Sequence, residues 1–305
     1  MRISVVIPFY NLERYVRPCL DSVLEAIRRS GADAGVEAIC VDDGSTDGTA
    51  ALLDAAAADF KSAGVGFRVI HQSNGGEGSA RNAGLEAATG DWVTFLDGDD
   101  VWLGGMLARA VAVLGRHPDA DIVNFVYRPF DDGAEPPRET DGAERRYETQ
   151  TRLPSDVILG VGVFPTFFRR AVFGDLRFSA LPLGADRLYV SACLARADRI
   201  VMSDACLYGY RIRANSMARA VWNRRKVRSM VDFAAGSLRN LKDKRLGRKG
   251  RNYLSYVLTK FSAKYIRRMA EERDETRRYW LRTLAAFEPS ILSFRYRLWR
   301  RWYLR

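Results

Sequence analysis

The sequence of 305 residues contains few of the residues that form disulfide frameworks or histidine-based sites. It has four cysteines and two histidines. The cysteines lie far apart in apolar segments without CxxC spacing, and His71 and His117 have no neighbours that suggest metal or triad chemistry. We therefore expect reduced cysteines in the core and a cytoplasmic compartment.

Long hydrophobic runs are also absent from the sequence. No run of about 18 consecutive apolar residues could span a bilayer. The first residues, MRISVVIPF, carry one arginine and too short an apolar run for the core of a signal peptide. These absences argue against an integral membrane protein.

The common nucleotide-binding motifs are missing as well. There is no GxxxxGK[ST] segment, and the glycine-rich segment NGGEGSARNAG follows the third predicted strand, so it lacks the position that GxGxxG takes after a first strand. The sequence therefore does not indicate a P-loop or a dinucleotide-binding fold.

Charge is distributed unevenly along the chain. Residues 1–215 carry 23 Lys and Arg against 30 Asp and Glu, whereas residues 216–305 carry 25 against 7. A net charge of −7 is thus followed by one of +18. This asymmetry predicts an ordinary domain followed by a basic region that suits an anionic surface, either membrane or nucleic acid.

Short apolar strands alternate with amphipathic helices in the first part of the chain. Strand-like runs occur at residues 3–8, 36–43, 67–72, 91–97 and 120–127. Such alternation indicates an α/β domain with a largely parallel sheet. Residues 131–150 are polar, so we interpret them as a surface excursion, and from about residue 216 the pattern becomes helical and basic.

Polar and glycine-rich residues follow each of the first four predicted strands. Ligands of open parallel sheets bind outside the carboxyl ends of the strands. Residues 95–100, FLDGDD, place three carboxylates within four positions, and such charges repel unless a cation lies among them. Carboxylate oxygens bind Mg²⁺ or Mn²⁺, which in turn bridge to phosphate. The strand ends therefore predict a site for a phosphorylated ligand with a divalent cation.

Five segments in this order are typical of one enzyme family. They are SVVIPFYN (4–11), VDDGSTDGT (41–49), NGGEGSARNAG (74–84), GDWVTFLDGDD (90–100) and YGYRIRANS (208–216). In these segments the sequence resembles family 2 glycosyltransferases of the GT-A fold. The resemblance implies a catalytic GT-A domain over residues 1–215, Rossmann-like and flanked by helices, with a basic helical region over residues 216–305.

The resemblance assigns donor-binding roles to the strand ends. It implies that Asp43 holds the base of a nucleotide-sugar, with Pro8 and Tyr10 forming the wall beside it. Asp97 and Asp99 match the family's DxD motif, in which Asp97 lies towards the ribose and Asp99 binds Mn²⁺ or Mg²⁺. For Asp43, a role in the turn before the next helix stays open as an alternative.

Further family positions carry a base and three arginines. Arg81 is placed near the diphosphate or sugar, and Arg211 and Arg213 match a closing segment that covers the diphosphate. The catalytic base is the Asp of a Glu-Asp pair; here Asp186 remains, but Ala185 replaces the Glu. Solvated arginines and a residue that merely starts a helix are the structural alternatives. By contrast, we interpret Asp100 as a cap for a helix that begins near Leu103.

These observations predict an inverting, metal-dependent glycosyltransferase that uses a nucleotide-diphosphate-sugar, with UDP first among the donors. The resemblance implies a glycan or lipid-linked acceptor in the biosynthesis of a bacterial surface polysaccharide. Residues 289–305, drawn as a helix, combine aromatic rings and arginines, so they suit an anionic membrane surface and a peripheral position there. A nucleotidyltransferase and a nucleic-acid binder that uses the basic tail are the competing hypotheses.

Overall fold

The computed structural model describes residues 1–31, 35–148, 162–181 and 184–214. The predicted region 216–305, including the segment 289–305, lies outside these residues. The helices are α1 Glu13–Ser30, α2 Thr49–Ser62, α3 Glu77–Ala87, α4 Met106–Arg116, α5 Arg170–Phe173 and α6 Ala185–Arg196. The strands are β1 Arg2–Phe9, β2 Gly35–Asp42, β3 Gly66–His71, β4 Trp92–Phe95, β5 Val101–Trp102, β6 Ile122–Asp131, β7 Glu144–Glu148, β8 Thr166–Arg169 and β9 Arg199–Ile212.

The nine strands of the described residues form one sheet in the order β3-β2-β1-β4-β8-β6-β9-β5, with β7 paired to β9. Neighbouring strands among β3, β2, β1 and β4 are all parallel, and we call these four strands the parallel half. In the remaining strands, the mixed half, β6 and β9 are parallel and the other pairs are antiparallel. The predicted α/β fold with a parallel central sheet is confirmed.

Helices cover both faces of the sheet. Apolar side chains of α1, α2 and α4 form one core cluster, and those of α3, α5 and α6 belong to the other. β1 serves both clusters, because Val6 faces one and Val5 and Ile7 face the other. A strand buried on both faces needs a continuous apolar run, which is what the ISVVI segment provides. The four cysteines are free and buried, as the sequence predicts.

A glycine brings α3 close to β1. A Cβ atom at Gly84 would overlap the side chain of Val6, so any larger residue would push the helix away from the strand. This close approach positions the amino end of α3 beside the carboxyl ends of β1 and β2, where the predicted ligand site lies.

The polar region after β6 is more regular than the sequence suggests. Residues 131–143 are mostly exposed, but Glu144–Glu148 form β7, which pairs with β9. Its sequence, ERRYE, has hardly any apolar side chain, so no hydrophobic pattern predicts a strand there. Among the described residues, no helix is both long and apolar enough to cross a membrane.

Candidate active site

The carboxyl ends of the four strands in the parallel half meet at one edge of the sheet. Backbone hydrogen bonds connect the ends directly. Asp43 N donates to Phe9 O at 2.9 Å, and Gln72 N donates to Asp42 O at 3.0 Å. The strand-end segments that the sequence singled out therefore lie side by side, as expected for an open parallel sheet.

Asp43 is buried at the end of β2 and holds the loop that precedes α3. Its Oδ1 accepts hydrogen bonds from Gln72 Nε2 at 2.7 Å and Gly75 N at 2.9 Å, and its Oδ2 accepts one from Gly76 N at 2.8 Å. A carboxylate offers about four acceptor positions, so one is left for a ligand N–H. The turn role that the sequence left open is thus present, and it does not exhaust the carboxylate.

The end of β1 lies against residues 97–100, DGDD, which we call the acidic turn. Pro8 is buried, whereas Tyr10 is 49% exposed at the edge of the sheet. A Cβ atom at Gly98 would lie 2.6 Å from Phe9 Cδ1 and 2.7 Å from Pro8 O, so only glycine fits between Asp97 and Asp99. This contact explains why FLDGDD contains a glycine at its centre.

Asp100 connects the acidic turn to β9, and the interpretation of this residue as a helix cap is wrong. The next helix, α4, begins at Met106. Asp100 is buried instead. Its Oδ2 accepts a hydrogen bond from Tyr208 Oη at 2.7 Å, and its Oδ1 accepts one from Arg211 N at 2.7 Å. Tyr208 Oη also accepts from Asp97 N at 3.2 Å. Strand β9 therefore holds the turn in place.

Arg81 bridges two carboxylates inside the site. Its Nη2 donates to Glu77 Oε1 at 2.5 Å and to Asp97 Oδ1 at 2.6 Å, and the side chain is almost fully buried. Within the described residues, Nε and Nη1 of Arg81 have no hydrogen-bond partner. The guanidinium also lies over the Phe178 ring, 5.4 Å from its centroid, so it forms a fixed positive charge beside Asp97. The alternative of a solvated arginine does not describe this side chain.

Glu77 is a site residue that the sequence analysis missed. The Arg81 guanidinium lowers the pKa of Glu77, whereas burial raises it. Nearby carboxylates raise the pKa further, to about 7; they belong to Asp97, Asp186 and Asp99. Because 44% of the Glu77 side chain is exposed, we attribute the rise chiefly to these carboxylates and less to burial. Its place in NGGEGSARNAG, four residues before Arg81, is the signal that could have found it.

Arg211 and Arg213 extend from β9 towards the acidic turn. Arg211 Nε donates to Asp99 O at 2.8 Å, and Arg213 Nη2 lies 2.6 Å from Asp99 Oδ2. Burial and the charge of Asp97 raise the pKa of Asp99, and Arg213 opposes that rise. In the described part of the chain, Arg213 Nε is buried without a hydrogen-bond partner. Both arginines therefore contact Asp99, so the alternative of solvated edge-strand arginines does not describe them.

Asp186 lies in the first turn of α6, directly after the buried Ala185. Its negative charge contributes to raising the pKa of both Glu77 and Arg81. Burial lowers the pKa of Arg81, but the surrounding carboxylates, with Asp186 among them, raise it above its ordinary value. Glu77 and Arg81 of α3 therefore lie in the electrostatic neighbourhood of Asp186.

The acidic turn fits a cation that arrives with its phosphate ligand. Among the described residues, no group of three or more His, Cys, Asp or Glu side chains is arranged to hold a metal ion. Nucleotide-bound Mg²⁺ needs only one or two protein carboxylates, because phosphate oxygens and water complete its coordination. Asp99 offers such a carboxylate. The residues present therefore suit a metal–diphosphate complex better than a metal bound by protein alone.

Comparison with known proteins agrees with this geometry. The family model for glycosyl transferase family 2 matches residues 4–177. Glycosyltransferase GlyA of Streptococcus pneumoniae is 28% identical over 252 residues, which are 76% of this chain and 33% of GlyA. Glycosyltransferase GlyG of the same organism is 29% identical over 249 residues, which are 75% of this chain and 77% of GlyG. This chain thus spans about a third of the length of GlyA.

A solved structure shows the same architecture. TarS from S. aureus, in complex with UDP-GlcNAc, superimposes with a TM-score of 0.72 at 23% identity, and the match covers 97% of this chain and 83% of the TarS chain. This likeness confirms the GT-A fold. Because the family model covers more than half of the sequence and includes the four strand ends that form the site, the chain belongs to glycosyl transferase family 2.

Proposed function

We propose that this glycosyltransferase is an inverting, metal-dependent enzyme that moves a sugar from a nucleotide-diphosphate-sugar, with UDP first among the donors, to a hydroxyl of a glycan or lipid-linked oligosaccharide. The pathway we propose is the biosynthesis of a bacterial surface polysaccharide. One observation carries the proposal: Arg81, Arg211 and Arg213 converge with the carboxylates of the acidic turn at the carboxyl edge of the sheet.

The parallel half suits the nucleotide. Asp43 keeps one acceptor position for an N–H group of the base, and the exposed ring of Tyr10 stands beside it, with Pro8 buried behind the turn. Asp97 faces the ribose in this arrangement. Arg81 and Arg213 supply positive charge on either side of the diphosphate position in this proposal, and charge-assisted hydrogen bonds to phosphate are among the strongest that proteins make. TarS, with 23% identity and the same fold, binds UDP-GlcNAc, which supports UDP as the first donor to test.

The transfer step needs a base on the side of the acceptor. Asp186 takes the proton from the acceptor hydroxyl, and the hydroxyl oxygen attacks the anomeric carbon from the face opposite the nucleoside diphosphate. The bond between that carbon and the phosphate oxygen breaks, so the configuration inverts.

The leaving diphosphate gains negative charge during this step. Arg211 and Arg213 already contact Asp99, so they lie where that charge develops and can stabilise it. When bound at Asp99, Mg²⁺ or Mn²⁺ would supply additional positive charge to the same diphosphate oxygens.

Family membership separates this proposal from the competing hypotheses. A nucleotidyltransferase usually has a basic, glycine-rich first loop, and the β1 end PFYNLERY is not one. A nucleic-acid binder that uses the tail would leave the strand-end carboxylates without a purpose. Neither alternative accounts for three arginines around the acidic turn.

The basic region 216–305 is, in this proposal, a separate helical part whose last residues, 289–305, dock on an anionic leaflet near a lipid-linked acceptor. Deleting residues 289–305 should lower flotation with phosphatidylglycerol vesicles and slow transfer to a lipid-linked acceptor. Transfer to a short soluble acceptor should stay near that of the full chain. Equal losses of both activities, together with lower thermal stability, would indicate a packed helix instead.

The experiment that tests the function is a screen of nucleotide-sugars against the full chain. We expect one UDP-sugar to raise the thermal unfolding temperature and to be hydrolysed slowly in the presence of Mn²⁺ or Mg²⁺, with both effects lost in excess EDTA. The anomeric configuration of a transfer product, read from NMR coupling constants, tests inversion. If no nucleotide-sugar raised the unfolding temperature of the native chain and none were hydrolysed, the proposal would be contradicted.

A further inference from the structure

Four aromatic rings form a continuous strip on the mixed half of the sheet. Phe164, just before β8, stacks on Tyr208 with ring centroids 5.0 Å apart and on Tyr210 with centroids 5.9 Å apart. Tyr127 of β6 contacts both Phe164 and Tyr210 edge-on, at 5.9 Å and 5.8 Å. We call Tyr208, Phe164, Tyr210 and Tyr127 the aromatic strip.

The inner end of the strip touches the acidic turn. Tyr208 Oη donates to Asp100 and accepts from Asp97 N. Tyr210 lies close to the same turn: burial raises the pKa of its phenol to about 12, and the charges of the turn carboxylates contribute to that rise. The strip therefore begins beside the residues that hold the donor diphosphate in the proposed function.

The outer end of the strip reaches solvent. In the part of the chain that the structure describes, the exposed large hydrophobic side chains are Met1, Tyr10, Val126 and Tyr127, and Tyr127 is 48% exposed. The burial of β6 changes abruptly, because Ile122–Phe125 are buried and residues 126–129 are exposed. Tyrosine is enriched at binding surfaces because its ring is apolar and its hydroxyl forms hydrogen bonds, so the exposed end of the strip is a candidate binding surface.

We propose that the aromatic strip is the subsite for the acceptor, and that a neutral pyranose ring of the glycan stacks its C–H face on Tyr127, the exposed ring of the strip. This inference rests on the proposed function. The nucleotide is assigned to the ends of β1 and β2, on the other side of the acidic turn. An acceptor sugar that approaches the anomeric carbon from the mixed half therefore crosses the strip.

The chemistry of the strip suits a sugar ring. Tyrosine combines a flat apolar face with a hydroxyl, and it loses little conformational entropy on binding because it has two χ angles. Pyranose rings are similarly two-sided, with axial C–H groups on one face and hydroxyls at the rim. Phe164 and Tyr210 both contact Tyr127 edge-on, so neighbouring rings already support the one that would carry the sugar.

The test uses two disaccharides as probes, N,N′-diacetylchitobiose and cellobiose, with UDP and Mg²⁺ present. Saturation-transfer NMR should show saturation on the C–H protons of a sugar ring. Tyr127→Ala should weaken disaccharide binding about ten-fold, the loss of one stacked ring. Tyr127→Phe retains the ring and should bind as the native chain does. Val126→Ala, the neighbouring exposed residue, is the matched control and should have no effect.

Three outcomes would overturn the inference. Disaccharide binding that Tyr127→Ala leaves unchanged would show that the ring is not a platform. A native chain that binds UDP but shows no saturation of either disaccharide would do the same. A parallel loss of UDP affinity in Tyr127→Ala would assign the strip to the donor. A native chain that does not bind UDP or any nucleotide-sugar contradicts the proposed function itself, so the two failures are distinguishable.

Discussion

The two halves of the sheet build the site in different ways. In the parallel half, the strand ends are joined by contacts between segments that follow one another in the sequence, such as Asn11 with Thr46 and Asp43 with Gly76. In the mixed half, β9 reaches back over 108 to 112 residues to hold Asp100 and Asp99. The comparison teaches that the strand ends of the parallel half are joined by neighbouring strand-to-helix turns, whereas the acidic turn depends on long-range pairing with β9.

The acidic turn is where the two halves meet, so its loss should have the largest effect. Asp99→Ala should abolish transfer and weaken Mn²⁺-dependent UDP binding, because the cation loses its protein carboxylate. Titration calorimetry with UDP, with and without Mn²⁺, measures the second effect. Asp141→Ala, at a fully exposed aspartate, is the control. Native activity in Asp99→Ala, or in the native chain with excess EDTA, would show that no metal is needed.

A second change tests the catalytic base separately from nucleotide binding. Asp186→Asn should lower transfer by ~10² or more, the scale of a lost general base, while UDP affinity stays close to native, because in the proposed function Asp186 acts on the acceptor hydroxyl and does not contact the nucleotide. Steady-state transfer and UDP titration measure the two quantities side by side. Asp141→Asn serves as the matched control. If UDP affinity fell together with transfer, the base would have to be sought elsewhere.

Part of this arrangement was predictable from sequence. The strands of the parallel half and the placement of Asp43, Arg81, Asp97 and Asp99 at one edge follow from apolar runs that end in polar turns. Strand β7 was not predictable, because the charged segment ERRYE forms a strand only through its pairing with β9. The partners of Asp100 could not be predicted either, because no local sequence pattern indicates a hydrogen bond between residues that are 108 positions apart.

The connection between the halves can be weakened without removing a charge. Tyr208→Phe keeps the buried ring but removes the hydroxyl that Asp100 and Asp97 N share. Buried groups left without a partner cost about 1–3 kcal/mol, so the free energy of unfolding should fall by that amount. Urea unfolding measures it. Tyr210→Phe, two residues further along β9, is the control and should change stability less; equal effects would argue against the shared hydroxyl.

The smallest effect concerns the parallel half alone. His71 Nδ1 lies 3.1 Å from Asp42 Oδ2, and Nε2 lies 3.1 Å from Asp54 Oδ1. The hydrogen bonds to Asp42 and then Asp54 raise the pKa of His71. A raised histidine pKa stabilises the fold fully below the unfolded value of about 6.5, and this contribution is lost as the pH rises through the folded-state pKa.

The size of that contribution is limited, because the His71 side chain is 45% exposed. We expect about 0.2–1 kcal/mol, the range of exposed ion pairs. Unfolding free energies measured from pH 6 to pH 9 should decline more for the native chain than for His71→Gln. Parallel pH profiles for the two proteins would refute the contribution of His71. Transfer by His71→Gln should remain near native, since the residue faces α2.

The pairing of Asp100 with β9 also sets a limit on how the chain can be divided. The family match ends at residue 177, yet the partners of Asp100, Tyr208 and Arg211, come more than thirty residues later. A fragment cut at that border would keep all four strand-end segments. It would lose both groups that donate hydrogen bonds to the Asp100 carboxylate. Anyone building a minimal enzyme, or grafting a new tail, should therefore join the parts after Arg213, because the smallest unit that can hold its own acidic turn is longer than the unit that sequence comparison outlines.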